Sequence, residues 1–493
     1  MKKRFLRLTA LWLAVTLSAA VLTSCITMRY TITPRTFTHT SPIVPNPMKG
    51  FVSTFHENDP DKANPSYSME YIGLKFSHIY HIENGAASFD REEIDQFLNK
   101  VNSRGNTAIL RVYILNPGKN AEGTHGLFLP TELYDTLKAD GRIYSDPLDD
   151  DFVEYPDFND ERLIDAMIDF VGKFAEAYDG HPGIAAVQMG LYGSWGEWNM
   201  SNCSNTSCVM TNQNLNRLIE AFTQSFTRTK LMARNPSLGN ANRYDIGFHD
   251  DNFLFNSSDY HTQSKAWKNL LEQVDPSYGT LQQFYDFIDG QNGNYMPLWD
   301  RWETQMFGGE LSGFMYNPPF GPLWSGTERE ALDYCIRQFH MSWLMGCGQG
   351  GIPKKDTPEY AQYEAVSASF GYDLAIAKVE AKERTGKILT AFTNYGVAPF
   401  YYDWVPEYQL IDSLGNVTYT CQDTDFRLSE VLPNAEVESV FFIPDETIPG
   451  DYILRVRFIN PAETLSEKAK PLLLSNDNAL ENGVYELASI TAK

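Results

Sequence analysis

Between Lys49 and about Gly371 the chain repeats one pattern: a short apolar run, then a longer stretch with apolar residues at helical spacing. Nothing else in the sequence limits the fold as strongly. Buried runs separated by helix-length segments pair most readily as parallel strands joined by crossover helices. The candidate strands are 50–55, 76–82, 108–115, 184–191, 230–233, 244–248, 305–307 and 341–345, with amphipathic stretches such as 91–103 and 163–178 between them. Eight such units fit a (β/α)8 TIM barrel with insertions, whose working face lies at the carboxyl ends of its strands. A doubly wound open sheet competes, but no glycine-rich phosphate fingerprint follows the first strand. A helix over 357–369 closes the barrel, and the character of the chain changes near Arg384. Beyond it the alternating runs 388–392, 407–411, 417–421, 437–442 and 452–458 predict an antiparallel β-sandwich domain.

The first residues belong to neither unit. Lys2, Lys3, Arg4 and Arg7 precede an apolar run from Leu8 to Val21, the pattern of an export signal. Leu22-Thr23-Ser24-Cys25 resembles a bacterial lipoprotein box, which makes Cys25 the expected site of lipidation and the cell envelope, periplasmic or surface, the expected location. The organisation is therefore 1–24 signal peptide, 25–47 tether, 48–383 barrel and 384–493 sandwich. The net charge is −23, and removal of the signal takes away four more positive charges. Such a surface repels polyanions, so nucleic acid is excluded as a partner, and sulfated or uronate-rich glycans would need a basic site the sequence does not show. Cys203 and Cys208 are close enough to form a disulfide, while Cys335, Cys347 and Cys421 read as buried thiols. No cysteine or histidine spacing matches a zinc site, and neither metal nor cofactor is expected. The acidic residues Asp146, Asp149, Asp150, Asp151 and Glu154 in the long insertion 116–160 read as a solvated loop; calcium is the alternative, but the spacing is not that of an EF-hand.

The chemistry concentrates where the fourth strand ends. Gln188 to Asn199 holds Gly190, Gly193 and Gly196, which clear space for a ligand or a second backbone, and sets Glu197 between Trp195 and Trp198. Flat indole faces suit the C–H faces of a sugar ring; the alternative is that both tryptophans are core and Glu197 is a helix-terminal charge. Glycosidic hydrolysis needs a second carboxyl group across the anomeric carbon. Glu310, after Gly308 and Gly309 at the end of the seventh strand, supplies one. Rivals are the triplet His249-Asp250-Asp251 after the sixth strand and Glu303. Arg111 and Arg234, at the ends of the third and fifth strands, are candidate cations for keeping Glu310 ionised. Tyr113, Asn235, His249 and Asp250 are candidates to hold sugar hydroxyls. Neither a Gly-x-Ser-x-Gly elbow nor a His-Glu-x-x-His helix is present.

These glutamates, on strands four and seven, resemble those of the clan of retaining glycosidases built on (β/α)8 barrels. That resemblance implies Glu197 as acid/base and Glu310 as nucleophile, although Gly196 stands where the clan has asparagine. More broadly, Asn46-Pro47-Met48-Lys49-Gly50-Phe51, the Gly193 to Trp198 core and Asn394-Tyr395-Gly396-Val397-Ala398-Pro399 resemble a bacterial lipoprotein family that joins a glycosidase-like barrel to a C-terminal sandwich. The resemblance implies a retaining glycoside hydrolase acting on a neutral oligo- or polysaccharide; the alternative is a non-catalytic glycan-binding surface lipoprotein.

Overall fold

The computed structural model describes residues 29–55, 67–118, 126–148, 151–200, 203–234, 238–253, 300–311 and 355–493, with positions 329, 332, 333, 336, 337 and 339–345 between the last two. The signal peptide, Cys25, Asn235, Asp149, Asp150, Cys335 and Cys347 lie outside the described residues.

Eight parallel strands close on themselves. They are β1 (Gly50–Thr54), β2 (Met69–Lys75), β3 (Thr107–Asn116), β4 (Ile184–Ser194), β5 (Leu231–Ala233), β6 (Gly247–Phe253), β7 (Phe307–Leu311) and β8 (Trp343–Met345). Each pairs with the next, and β8 returns to β1 with Trp343 opposite Gly50, so no edge is left open. The fold is a (β/α)8 barrel. Its packed helices follow from local signals. Asp160 caps Glu161–Tyr178 by accepting from Arg162 N–H, and Leu163, Met167, Phe170, Val171 and Phe174 form the buried stripe. Thr211 caps Asn212–Ser225 in the same way, and Thr357, followed by Pro358, caps the closing helix Pro358–Ser369.

The second strand departs from expectation. Residues 76–82 are apolar but form one helical turn, Phe76–Ile79, and the start of a hairpin, Tyr80–Glu83 with Ala86–Phe89. Phe76 and Tyr80 pack outside the barrel against Phe170. The barrel strand is the more polar Met69–Lys75, because its buried carboxylate is satisfied: Glu70 accepts from Arg104 and Asn106 in the connection that leads to β3. Strands β6 and β7 also extend further toward the mouth than their apolar runs indicated. His249, Asp250, Asp251 and Glu310 therefore lie within strands rather than after them.

The remaining strands form an antiparallel sandwich. One sheet orders Tyr30–Pro34, Tyr485–Ala492, Gly450–Phe458, Pro406–Asp412 and Val417–Gln422; the other orders Leu374–Lys382, Lys387–Asn394 and Glu436–Phe442. Two differences from the sequence reading matter. The sandwich takes up Leu374–Lys382, ahead of the change near Arg384, and the segment read as a tether supplies an edge strand. Tyr30 and Ile32 are buried there, and all five residues pair with the strand Tyr485–Ala492. The alternation in Tyr30-Thr31-Ile32-Thr33 is the signal for it.

The sandwich sits on the amino ends of the barrel strands. The Tyr402 hydroxyl donates to Ala185 O at 2.7 Å where β4 begins, Tyr401 donates to Trp302 O at 2.8 Å, and Asn46 exchanges two hydrogen bonds with Leu473. The buried Lys49 ammonium donates to Ala368 O and Tyr372 O. One hydrophobic cluster runs from Val52, Met69, Ile109, Met232 and Trp343 in the barrel to Phe400 and Trp404 in the sandwich. The opposite face, at the carboxyl ends, carries the polar residues described next.

If the first strand is structural, Ile32→Ala lowers stability by about 2 kcal/mol or more. Denaturant unfolding of the variant against the parent measures it; a true tether would show no change.

Candidate active site

Glycine geometry places Glu197. Past Ser194 the backbone turns back on β4: Gly196 N–H donates to Gly193 O at 3.1 Å, Glu197 N–H to Ser194 O at 2.8 Å, and Trp198 N–H to Tyr192 O at 3.1 Å. Gly193 and Gly196 take φ of +81° and +73°, where an L side chain is strained. A Cβ on Gly190 would lie 2.0 Å from Val112 O, and one on Gly196 would lie 3.1 Å from both Gly190 Cα and Val112 O. The turn therefore lies directly against β3, and Glu197 Oε1 comes within 3.7 Å of Arg111 Nη1. The two tryptophans separate in role. Trp198 is core: it is buried and its indole N–H donates to Met189 O at 2.6 Å, which corrects its expected part in sugar binding. Trp195 is 37% exposed at the mouth.

Arg111 organises the centre. Only 2% exposed, it donates from Nε to Gln188 Oε1 at 2.6 Å and from Nη2 to Asp251 Oδ1 at 2.6 Å, and it lies 5.4 Å from the centroid of the Tyr71 ring. Asp251 is shared. His249 Nδ1 is 3.0 Å from it, and Arg234 meets its other oxygen at 3.1 Å while reaching Asp250 at 3.0 Å. Two arginines and two aspartates thus neutralise one another beneath the mouth. Gly309 permits the close approach of β7 to this group, since a Cβ there would fall 2.3 Å from Asp250 O.

Protonation follows from that arrangement. Burial pushes Glu197 from its ordinary 4.5 up to about 8, with the Asp251 charge adding to the effect and Arg111 and Arg234 opposing it without prevailing. Burial and Asp251 likewise push Glu310 up to about 7, again against Arg111. The Glu310 charge is itself one of the causes that raise Glu197, so the two carboxyl groups share one field. Burial opposes ionisation of Asp251, but Arg111, His249 and Arg234 outweigh it and hold this carboxyl far below the usual range. His249 is driven down to about 4 by burial and is neutral at pH 7. Tyr71 is raised by burial, partly countered by Arg111, in the combined field of Asp251, Glu310 and Glu197.

The structure therefore brings Glu197, Glu310, Arg111, Arg234, His249 and Asp250 together, but with altered roles. The arginines expected to hold Glu310 ionised are bound by Asp251 and Asp250. His249 and Asp250, expected to touch sugar, are buried supports. Tyr113 stands beside Gly73 higher on the strand, edge-on to Phe128 at 5.7 Å. Cys203 and Cys208 are free thiols: the 3-10 turn Thr206–Cys208, capped by Asn205, carries Cys208 into the barrel's outer core. In the insertion, Ser204 donates to Asp146 from both its backbone and its hydroxyl, and Tyr134 and Lys138 engage Glu154, so part of the expected solvated loop is tied down. Among the described residues no three His, Cys, Asp or Glu side chains converge as a metal site. Tyr71 was missed because β2 was placed too late in the chain. The clue was the alternation in Met69-Glu70-Tyr71-Ile72-Gly73-Leu74.

No family model matches the chain, and no curated protein matches it. Among solved structures it is similar to the catalytic domain of a beta-amylase from Paenibacillus polymyxa, at 10% identity over 66% of this chain and 99% of that one, with a TM-score of 0.40. It is also similar to endo-glycoceramidase II from Rhodococcus sp., at 9% identity over 83% and 100%, with a TM-score of 0.40. A third is the endoglucanase Cel5A from Thermotoga maritima, at 11% identity over 64% and 96%, with a TM-score of 0.34.

The raised Glu197 has a thermodynamic consequence. The folded state keeps this proton up to about pH 8, whereas an unfolded chain releases it near 4.5, so its contribution to stability falls as pH rises through that interval. Glu197→Gln should therefore raise Tm by a few degrees at pH 8.5 and change it little at pH 5, read by calorimetry at both pH values. Equal Tm differences at the two pH values would contradict the burial of this charge.

Proposed function

We propose that the chain is a retaining glycoside hydrolase acting on a neutral oligo- or polysaccharide at the cell envelope. One observation carries the reading: two partly exposed carboxyl groups, Glu197 in the turn after β4 and Glu310 on β7, share one field at the barrel mouth beside the buried Arg111–Asp251 pair, and burial raises both. Glu197 gives its proton to the glycosidic oxygen as the bond to the anomeric carbon breaks, and the Glu310 carboxylate attacks that carbon to form a glycosyl ester. The Glu197 carboxylate then takes a proton from water, whose oxygen displaces the ester and frees Glu310.

Substrate charge follows from the same network. Arg111 and Arg234 are occupied by Asp251 and Asp250, so neither offers an unpaired cation to a uronate or sulfate. The exposed Trp195 gives a face on which a neutral sugar ring stacks.

The pH profile of kcat/KM should be a narrow bell, rising as Glu310 ionises near 7 and falling as Glu197 ionises near 8. Steady-state rates between pH 5.5 and 9.5 check this, and a plateau extending down to pH 5 would contradict the Glu310 assignment.

Glu197→Gln should lower turnover of an unactivated glycan by about 10²- to 10⁴-fold and that of an aryl glycoside with a good leaving group by much less. Glu310→Gln should abolish both, and glycan affinity by calorimetry should survive in each variant. If the parent releases no reducing sugar from a broad glycan panel yet binds one of its members, the chain is a glycan-binding protein and the hydrolase reading fails.

A further inference from the structure

Strand directions divide the sandwich into two poles. Tyr30–Pro34, Lys387–Asn394, Val417–Gln422 and Gly450–Phe458 run toward the barrel, and the strands antiparallel to them run away from it. The near pole holds Tyr401, Tyr402 and Leu473, which join the amino ends of the barrel strands. The far pole consists of segments 382–387, 412–417 and 442–450, together with Arg29, which pairs with Asp445. The molecule is therefore stacked in the order far pole, sandwich, barrel, mouth.

The far pole carries open apolar side chains. Leu414 is 85% exposed, Ile448 71%, Phe442 57% and Val417 53%. The chain topology brings all four to one end of the sandwich. The charges there balance, with Arg29, Lys382, Arg384, Lys387 and Lys493 against Glu383, Asp412, Asp445, Glu446 and Asp451, on a chain whose net charge is −23. An anionic surface therefore repels this end less than the charge of the whole chain implies.

The position of Arg29 points to the cover. Arg29 lies four residues after Cys25, the residue expected to be lipidated because Leu22 to Cys25 resembles a lipoprotein box, and four residues reach at most about 14 Å. An acyl chain on Cys25 would keep this pole at the bilayer surface, where apolar loop tips gain by shallow insertion. We infer that the far pole of the sandwich is a membrane-seated foot, set by Leu414, Val417, Phe442 and Ile448, and that the barrel mouth points away from the bilayer. Sandwich strands of this length rise roughly 30 Å and a tilted barrel adds a similar height, so Glu197 and Glu310 stand roughly 50 Å above the membrane. Glycans that project from the surface reach them; sugars on lipids of the same leaflet do not. The orientation is independent of whether the site cleaves or only binds.

Hydrogen–deuterium exchange tests it. The full-length protein, processed in a bacterial host and placed in phosphatidylethanolamine–phosphatidylglycerol vesicles, is compared with the unacylated Cys25→Ala protein in solution. Exchange should slow at 412–417 and 442–450 and stay unchanged at 194–199, and the slowing should be lost in the acylated Leu414→Glu/Ile448→Glu variant with Tm unaltered. Slowing at the mouth, slowing nowhere, persistence in the double variant, or a mass showing no acyl group on Cys25 overturns the inference. Protection of the pole in solution with a doubled particle mass assigns the face to a second copy and overturns it as well.

Discussion

The pairing of Arg111 with Asp251 inside the barrel is the interaction on which the rest depends. Both side chains are almost wholly buried, and either alone would carry an uncompensated charge at a cost of several kcal/mol. Together they are tolerated, and each does a second task. Arg111 holds Gln188 and faces Glu197, so strands β3 and β4 are fixed relative to each other; Asp251 gathers Arg234 and His249, so strands β5 and β6 are fixed as well.

That pair also sets the chemistry of the mouth. Asp251 stays ionised because two arginines surround it, and its charge is then a reason for Glu197 and Glu310 to keep their protons. A barrel with free arginines at this level would depress both glutamates and attract anions. Here the arginines are used up internally, and the carboxyl groups above them respond to burial and to each other. The glycines of the β4 turn allow this closeness by letting one backbone lie against another.

The sandwich acts from the other end. It packs on the amino ends of the strands, where Lys49, Tyr401, Tyr402 and Asn46 bridge the two units, on the face opposite the one that carries Glu197 and Glu310. The edge strand Tyr30–Pro34 ties the start of the folded chain to the same body. Whatever holds the chain before Arg29 is thereby coupled to the attitude of the site.

By itself the sequence determined the barrel, the sandwich and the two strands that position Glu197 and Glu310, because burial imprints a period on each element that no neighbour needs to supply. It misplaced β2, since a strand lined with Glu70, Tyr71 and Gly73 reads as polar until Arg104, Asn106 and Arg111 are seen to face it. It took Trp198 for a sugar platform, since an indole in the core and one at the surface are the same letter. The roles of Arg111, Arg234, His249 and Asp250 were decided only in three dimensions. Ion pairing and desolvation depend on distances between residues far apart in the chain, and Asp251 took both arginines before any substrate could.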